Sequence, residues 1–293
     1  MLQVNIFFSL LVLLSLVTVG IYCAFKDKKA VLTLIALSTL SLLLINFYPM
    51  LCFIFLIFLL LPFFKKMSYS KLIVCCMISS ITLANFILIL FMATELPYMI
   101  FIALLSVTAL SALGILGIFE NKLVKYLLIS NLIQLIFVLA DLSVAKLAGK
   151  IQILGTIQIF NYTLAGLLLF MTLGLFYKEK ISDLQGFYYS NKANACFAIV
   201  AALSLAGLPG LNIFVSEWYL FITSFSIFPI ITILGIFAAL ILFIMYFKIA
   251  YILLVGRAKK ILIPKILIAT TGALAGLCLL FGLLPQLQLL VLI

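Results

Sequence analysis

Long apolar runs, broken by short clusters of lysine, asparagine, proline and glycine, set the pattern of this chain. A helix needs about 17–25 apolar residues to cross the hydrocarbon core of a bilayer, and the runs divide on that scale. Val4–Ala24 predicts a first span. Ala30–Phe64 is uncharged and too long for one helix, and the Asn46-Phe-Tyr-Pro49 turn splits it in two, because proline disfavours helix at its own position and the one before. Leu72–Phe119 carries only Glu95 and breaks near Pro97, giving two more spans. Tyr126–Ala140 is a short sixth, Ile151–Tyr177 a seventh, and Ala193–Phe225 an eighth, interrupted at Gly207-Leu208-Pro209-Gly210. Ile230–Phe247 and Ile266–Leu284 complete the set. The pattern predicts an all-α polytopic bundle of about ten transmembrane helices, one of them discontinuous near Pro209, forming a single integral membrane domain over residues 1–293.

The basic residues test that count. With an outer N-terminus, the loops that fall inside hold Lys26, Lys28 and Lys29, then Lys65, Lys66 and Lys71, then Lys122 and Lys125. Lys178, Lys180 and Lys192 follow, then Lys248, Arg257, Lys259, Lys260 and Lys265, leaving only Lys146 and Lys150 of the 18 outside. So strong a positive-inside bias supports both the count and the orientation. A missed helix in the middle of the chain would destroy it.

The eighth span stands apart. As one straight helix, at 1.5 Å per residue, it would be about 50 Å long, against a core of about 30 Å. Pro209 removes a backbone donor and clashes with the preceding turn, while Gly207 and Gly210 free the chain around it. A plain proline kink and a short unwound segment are both compatible with this. Within lipid an unwound segment survives only where protein or an internal cavity satisfies its carbonyls. Glu217, eight residues after the proline in an otherwise uncharged run, tips the reading to a discontinuous helix. An ionised carboxylate at bilayer depth costs roughly 2.5–3.5 kcal/mol even on lenient scales.

Composition narrows the function classes. The chain is 68% hydrophobic and 9% charged with a net charge of +11. Because the basic residues sit in short loops, that charge reads as membrane anchoring and not as nucleic-acid binding. With no histidine, haem ligation by histidine, histidine-ligated zinc and Ser–His or Cys–His catalysis are excluded. The six cysteines (Cys23, Cys52, Cys75, Cys76, Cys196 and Cys278) lie in apolar spans without CxxC spacing and read as small buried hydrophobes. No nucleotide loop, flavin motif or cluster-binding cysteine set is present. The N-terminus has no basic residue ahead of its apolar run, which reads as a first span and not as a cleaved signal.

The stretch LSLAGLPGLNIFVSEWYLF, residues 203–221, resembles the helix-break signature of the antiporter-like subunits. These are the proton-channel subunits of complex I (NADH:quinone oxidoreductase) of the subunit 2, 4 and 5 type, the Mrp antiporters and the energy-converting membrane-bound hydrogenases. The acidic residue at Glu217 is most similar to the subunit-4 and hydrogenase type. ENKLVKYLLISNLIQ (Glu120–Gln134) and IFNYTLAGLLLFMTLG (Ile159–Gly174) resemble two further family segments in the right order. The likeness covers an antiporter-like core at 104–257, with divergent N-terminal helices at 1–95 and a C-terminal helix at 258–293. Tyr162 stands where the family often has histidine and Gly166 where it has lysine. Met99–Phe119 is uncharged where the family carries a lysine, and the family's longer core is shortened.

The resemblance implies a membrane-embedded proton-translocating subunit that couples electron transfer in its partners to proton movement. It implies partners in a hetero-oligomeric complex: other membrane-arm subunits and redox subunits, the latter holding iron–sulfur clusters, flavin or a hydrogenase metal centre. This chain itself would bind no cofactor. The setting would be a prokaryotic cytoplasmic membrane or the mitochondrial inner membrane.

Burial favours the neutral form of a carboxyl and an approaching cation favours the ion, so Glu217 is suited to load and release a proton. Asn212 and Ser216 share a helix face by their spacing, as do Gln158 with Asn161 and Tyr162, and Asn131 with Gln134. Such side chains act as inter-helix glue or hold water in a path, and their coincidence favours the path. Lys125 is the candidate cation, or else an interfacial anchor; Glu95 is a second candidate acid, or else a loop carboxylate. A non-conducting spacer in the same kind of complex is the alternative function. An independent secondary cation transporter ranks lower, since it requires a matching broken helix in the other half and Glu95-Leu96-Pro97 is the sole analogue.

Overall fold

The computed structural model describes residues 2–64, 67–93, 98–149, 151–256 and 261–292. Among them the regular structure is helical, apart from one isolated antiparallel bridge between Lys122 and Lys180. Eight helices are long and apolar enough to cross a membrane, as expected of an all-α integral membrane bundle. The chain divides into two compact units, Met1–Pro97 and Tyr98–Ile293.

In the first unit, α1 (Leu2–Lys26), α2 (Lys28–Phe47) and α4 (Tyr69–Ala93) pack on one another, and the short α3 (Phe55–Phe64) lies against α4. Asp27 caps α2 by accepting from the Lys29 amide at 3.1 Å, and it also accepts from the Ser68 hydroxyl at 2.7 Å. Ser41 and Thr82 join their hydroxyls at 2.7 Å. Both side-chain pairs are 41 residues apart, so α2 and α4 run parallel in one register. The expected division of Ala30–Phe64 falls at Tyr48 (φ −137°), which precedes Pro49. The third span is 3-10 over Pro49–Ile54 and α-helical over Phe55–Phe64, instead of one full-length α-helix.

In the second unit α7 (Ile151–Leu175) is the central helix, buried along the whole of Gly155–Leu175. Around it pack α6 (Leu123–Leu147), α9 (Lys192–Leu205), α10 (Asn212–Ile227), α12 (Lys265–Leu283) and α13 (Pro285–Leu292). Helix α5 (Met99–Phe119) lies against α6 and α11 (Pro229–Leu254), and the four-residue α8 (Phe187–Ser190) leads into α9. A Cβ at Gly114 would strike Ile241, and one at Gly117 the Met245 thioether; small residues let α5 and α11 approach this closely. Lys248 caps α5, donating to the carbonyls of Ile118 at 2.9 Å and Glu120 at 2.7 Å, where a cation complements the helix terminus.

Two spans run further than their apolar runs imply. Helix α6 does not stop at Ala140 but carries Asp141 inside it to Leu147, and α11 passes Phe247 to take in Lys248. A single charged residue carries only a modest helix-propensity penalty, so it does not by itself end a helix. Five cysteines are buried as expected, but Cys196 on α9 is exposed, and all six are free. Glu95, Lys65, Lys66, Lys150, Arg257, Lys259 and Lys260 lie outside the described residues.

Candidate functional site

The interruption between α9 and α10 is built from two glycine turns. The Leu208 amide donates to Leu203 at 3.1 Å and the Gly207 amide to Ser204 at 3.0 Å, closing α9 in a Schellman motif with Gly207 at φ 69°. Pro209 and Gly210, the latter at φ 91°, then form a tight turn closed by Leu211 donating to Leu208 at 3.1 Å. That is the pattern of a type II turn, which requires positive φ at its third position. The break is therefore a defined structure and not a simple kink. Gly282 of α12 supports it from the side: a Cβ there would overlap the backbone of Gly210 and Leu211.

The break makes the seat for Glu217. A Cβ at Gly207 would overlap the Glu217 carboxylate, so the acid folds back against the glycine that ends α9. Glu217 is 4% exposed and has no cation within ion-pair distance among the described residues. The Tyr246 hydroxyl, on α11, is its electrostatic neighbour.

From Tyr246 a row of polar groups extends across the unit. Ser130 and Tyr246 share a hydrogen bond of 2.8 Å, and Gln134 donates to the same hydroxyl at 3.4 Å. Gln158 of α7 donates to Gln134 at 3.2 Å, and the Tyr162 hydroxyl donates to Asn131. On the other side of α7, Asn161 donates to Ser216 at 3.5 Å and to Gln288 at 3.1 Å. Asn212, the first residue of α10, donates to the Asn161 carbonyl at 2.9 Å and accepts from Ser204. The carbonyl oxygens of the Gln158 and Asn161 side chains are enclosed and have no partner among the described residues; buried acceptors of this kind are the ones internal water satisfies. Hydroxyls and water both accept and donate a proton, so the Tyr246 and Ser130 hydroxyls are suited to a relay, whereas the amides of Gln134, Gln158 and Asn161 serve to hold water and not to carry the proton themselves.

The expected site residues fall into separate hydrogen-bonded groups: Gln134 and Gln158 with Tyr246 and Ser130, Asn131 with Tyr162, and Asn212, Ser216 and Asn161 with Ser204 and Gln288, while Glu217 sits against Gly207. Lys125 lies apart from these groups. It is exposed at the start of α6, the position of an interfacial anchor, because its long side chain reaches water more cheaply than it enters the bundle. The second candidate acid, Glu95, lies outside the described residues. Tyr162 and Gly166 prove to be linked: the Tyr162 ring fills the space a side chain at Gly166 would occupy, 2.9 Å from that Cβ position.

Residues that the sequence reading passed over include Tyr246, Ser204, Gln288 and Asp141. Tyr246 is one aromatic residue in an apolar run, and nothing in its spacing marks it. Ser204 and Gln288 are lone polar residues beside a break and near the chain end. Asp141 was visible as a charge, but a charge at the edge of an apolar run reads first as the end of a span.

No protein-family model and no curated protein matches the chain. Solved structures do match. A chain of respiratory complex I from Thermus thermophilus is 16% identical, with a TM-score of 0.66 over 97% of this chain and 85% of that one. The chain has that fold. A chain of the Mrp complex from Dietzia sp. DQ12-45-1b is 15% identical with a TM-score of 0.66, covering 99% of this chain and 65% of that one. A chain of the membrane-bound sulfane sulfur reductase, an archaeal respiratory membrane complex, is 20% identical with a TM-score of 0.67 over 94% of this chain. This chain spans about half of that last neighbour, 52% of its length.

Proposed function

We propose that this chain is a proton-translocating membrane subunit of a respiratory complex, of the glutamate-bearing antiporter-like type. The observation that carries the reading is Glu217, buried against the glycine that ends α9 near Tyr246, whose hydroxyl bonds to Ser130 and Gln134. The likeness of fold to chains from respiratory complex I, an Mrp complex and an archaeal respiratory membrane complex supports it. Glu217 holds the proton, and the Tyr246 hydroxyl accepts a hydrogen bond from one side while donating to the other. The break supplies the polar space in which the carboxyl turns. Redox centres belong to partner subunits, as clusters, flavin or a metal centre. The lysine-rich loops, by the positive-inside tendency, support an N-terminus on the outer side, in a prokaryotic cytoplasmic or mitochondrial inner membrane.

A second reading, the non-conducting spacer, is favoured by one observation. Tyr162 occupies the Gly166 space and Lys125 faces outward, so the described path contains no cation to drive Glu217. One experiment separates the two. The complex that co-purifies with the chain in mild detergent is identified and reconstituted in proteoliposomes with Glu217→Gln. Assembly with coupled proton transport reduced on the order of 100-fold, within the range a positioned proton-transfer group supplies, supports translocation. Assembly with unchanged transport supports the spacer.

A further inference from the structure

Asp141 takes no part in the network above, yet it is the other carboxylate that the second unit buries. Its side chain is 2% exposed, and neither oxygen has a hydrogen-bond partner among the described residues. An ionised carboxylate is heavily penalised at this depth, so its persistence inside α6 calls for a use. Its register supplies one. Asp141 follows Gln134 by seven residues, which is about 20° round the helix and about 10 Å along it. It therefore continues the face of α6 whose Ser130, Asn131 and Gln134 bond to Tyr246, Tyr162 and Gln158.

The charges around it leave that face open. Helix α5 has no ionisable side chain, α7 has Tyr162 alone, and α10 brings Glu217 and Tyr219. On α11, Tyr246 belongs to the row and Lys248 is bound to the α5 carbonyls at the far end. Tyr251 also lies on α11, exposed and beyond Lys248. On α6 itself Tyr126 donates to the Met245 carbonyl at 3.0 Å, Lys125 is exposed, and Lys146 points about 140° round the helix from Asp141.

We propose that Asp141 is a second protonatable station on the same path, which takes up the proton passed along the Tyr246–Gln134 row and releases it at the Leu147 end of α6. The proposal rests on the reading of the chain as a proton-translocating subunit. An O–H bond forms on one Asp141 oxygen as a water held beside Gln134 gives up one proton and takes another from the water before it, whose own is replaced in turn from the Tyr246 end. The Asp141 O–H bond breaks when its proton passes to water nearer the helix end, leaving the carboxylate ready for the next. Nothing is oxidised or reduced. About three waters at hydrogen-bond spacing bridge the interval between the two side chains.

The test compares wild type, Asp141→Asn, Asp141→Glu and Glu217→Gln in the co-purified complex, reconstituted in proteoliposomes containing a pH-sensitive dye. The expected result is normal assembly of Asp141→Asn with transport lowered at least about tenfold, the modest end of what a positioned proton-transfer group supplies, and recovery of most transport in Asp141→Glu. Full transport in Asp141→Asn beside a loss in Glu217→Gln overturns the station and leaves the proposed function standing, as does a Glu variant no better than the Asn one. Full transport in both Asp141→Asn and Glu217→Gln removes the proposed function and the station together. If Asp141→Asn does not assemble, the wild-type complex decides. A hydrophobic carbodiimide, which attacks protonated carboxyls, should modify Asp141, as located by mass spectrometry, in step with loss of transport. An unmodified Asp141, or transport that survives its modification, overturns the proposal.

Discussion

Both units bury polar side chains at bilayer depth, but of different kinds. In the first, the buried polar groups among the described residues are hydroxyls and amides, such as Ser15, Ser38, Ser41, Thr82 and Asn85, whereas the second adds the carboxylates of Glu217 and Asp141. Their backbones differ in the same sense. All five positive-φ residues among the described ones, Gly149, Gly186, Gly207, Gly210 and Gly256, lie in the second unit. Hydroxyls in regular helices serve as inter-helix glue, each bond worth about 0.6 kcal/mol. A carboxylate folded into a helix break is a costlier arrangement, and cost of that kind concentrates at functional sites.

Glycine substitution should break the comparison most sharply. At Gly207 alanine meets two obstacles, a positive φ that costs a side chain roughly 1–2 kcal/mol and overlap with the Glu217 carboxylate. Gly207→Ala should displace the acid and lower coupled proton transport on the order of 100-fold, with the complex still assembled. Gly20 of α1 is the control: a Cβ there meets only Leu34, at an ordinary 3.6 Å. Gly20→Ala should leave transport unchanged and stability within about 1 kcal/mol of wild type. Equal losses in both, measured in proteoliposomes and by thermal unfolding, would dissolve the distinction between the units.

A smaller effect separates a relaying hydroxyl from an adhesive one. Tyr246→Phe keeps the ring that packs edge-on against Tyr126 at 6.4 Å but removes the group bonded to Ser130 and Gln134. Transport should fall about tenfold, at the weak end of proton-transfer contributions. Thr82→Val removes the partner of Ser41 in the first unit. It should lower stability by about 0.6 kcal/mol and leave transport intact. If Tyr246→Phe transports normally, the row in the second unit is glue as well.

The break and its acid were legible because they violate strong local rules. A proline between glycines and a carboxylate in an uncharged run stand out in any apolar span. The pairs Gln158/Asn161 and Asn131/Gln134 were legible through helical spacing, which is blind to which helix faces which. Tyr246 bonds to Ser130 and Gln134 and lies near Glu217 only because α11 comes to lie beside α6 and α10, and no periodicity in ILFIMYFKIAY records that. Lys125 stays open between two readings in the sequence for the opposite reason. Its charge is plain in the sequence, while its direction depends on α6 beginning at Leu123, at the edge of the bundle. Asp141 is hidden because a charge at the edge of an apolar run reads as the end of a span.

The smallest prediction concerns the loop that joins α1 to α2. The Ser68 hydroxyl, more than any other group, holds the Asp27 carboxyl below its usual range, and the amides of Lys29 and Ala30 help. A carboxyl whose folded-state pKa is lowered stabilises the fold at pH values above its unfolded pKa, about 3.9, and that contribution is lost as the pH falls through the folded value. Ser68→Ala should therefore lower the thermal midpoint slightly at neutral pH, with the difference from wild type fading in acid. Transport should not respond at either pH, since Asp27 belongs to the first unit and lies outside the Glu217 network. A shift in the pH profile of transport in Ser68→Ala would show that the first unit also carries protons, and the contrast between the units would have to be redrawn at its charged loop.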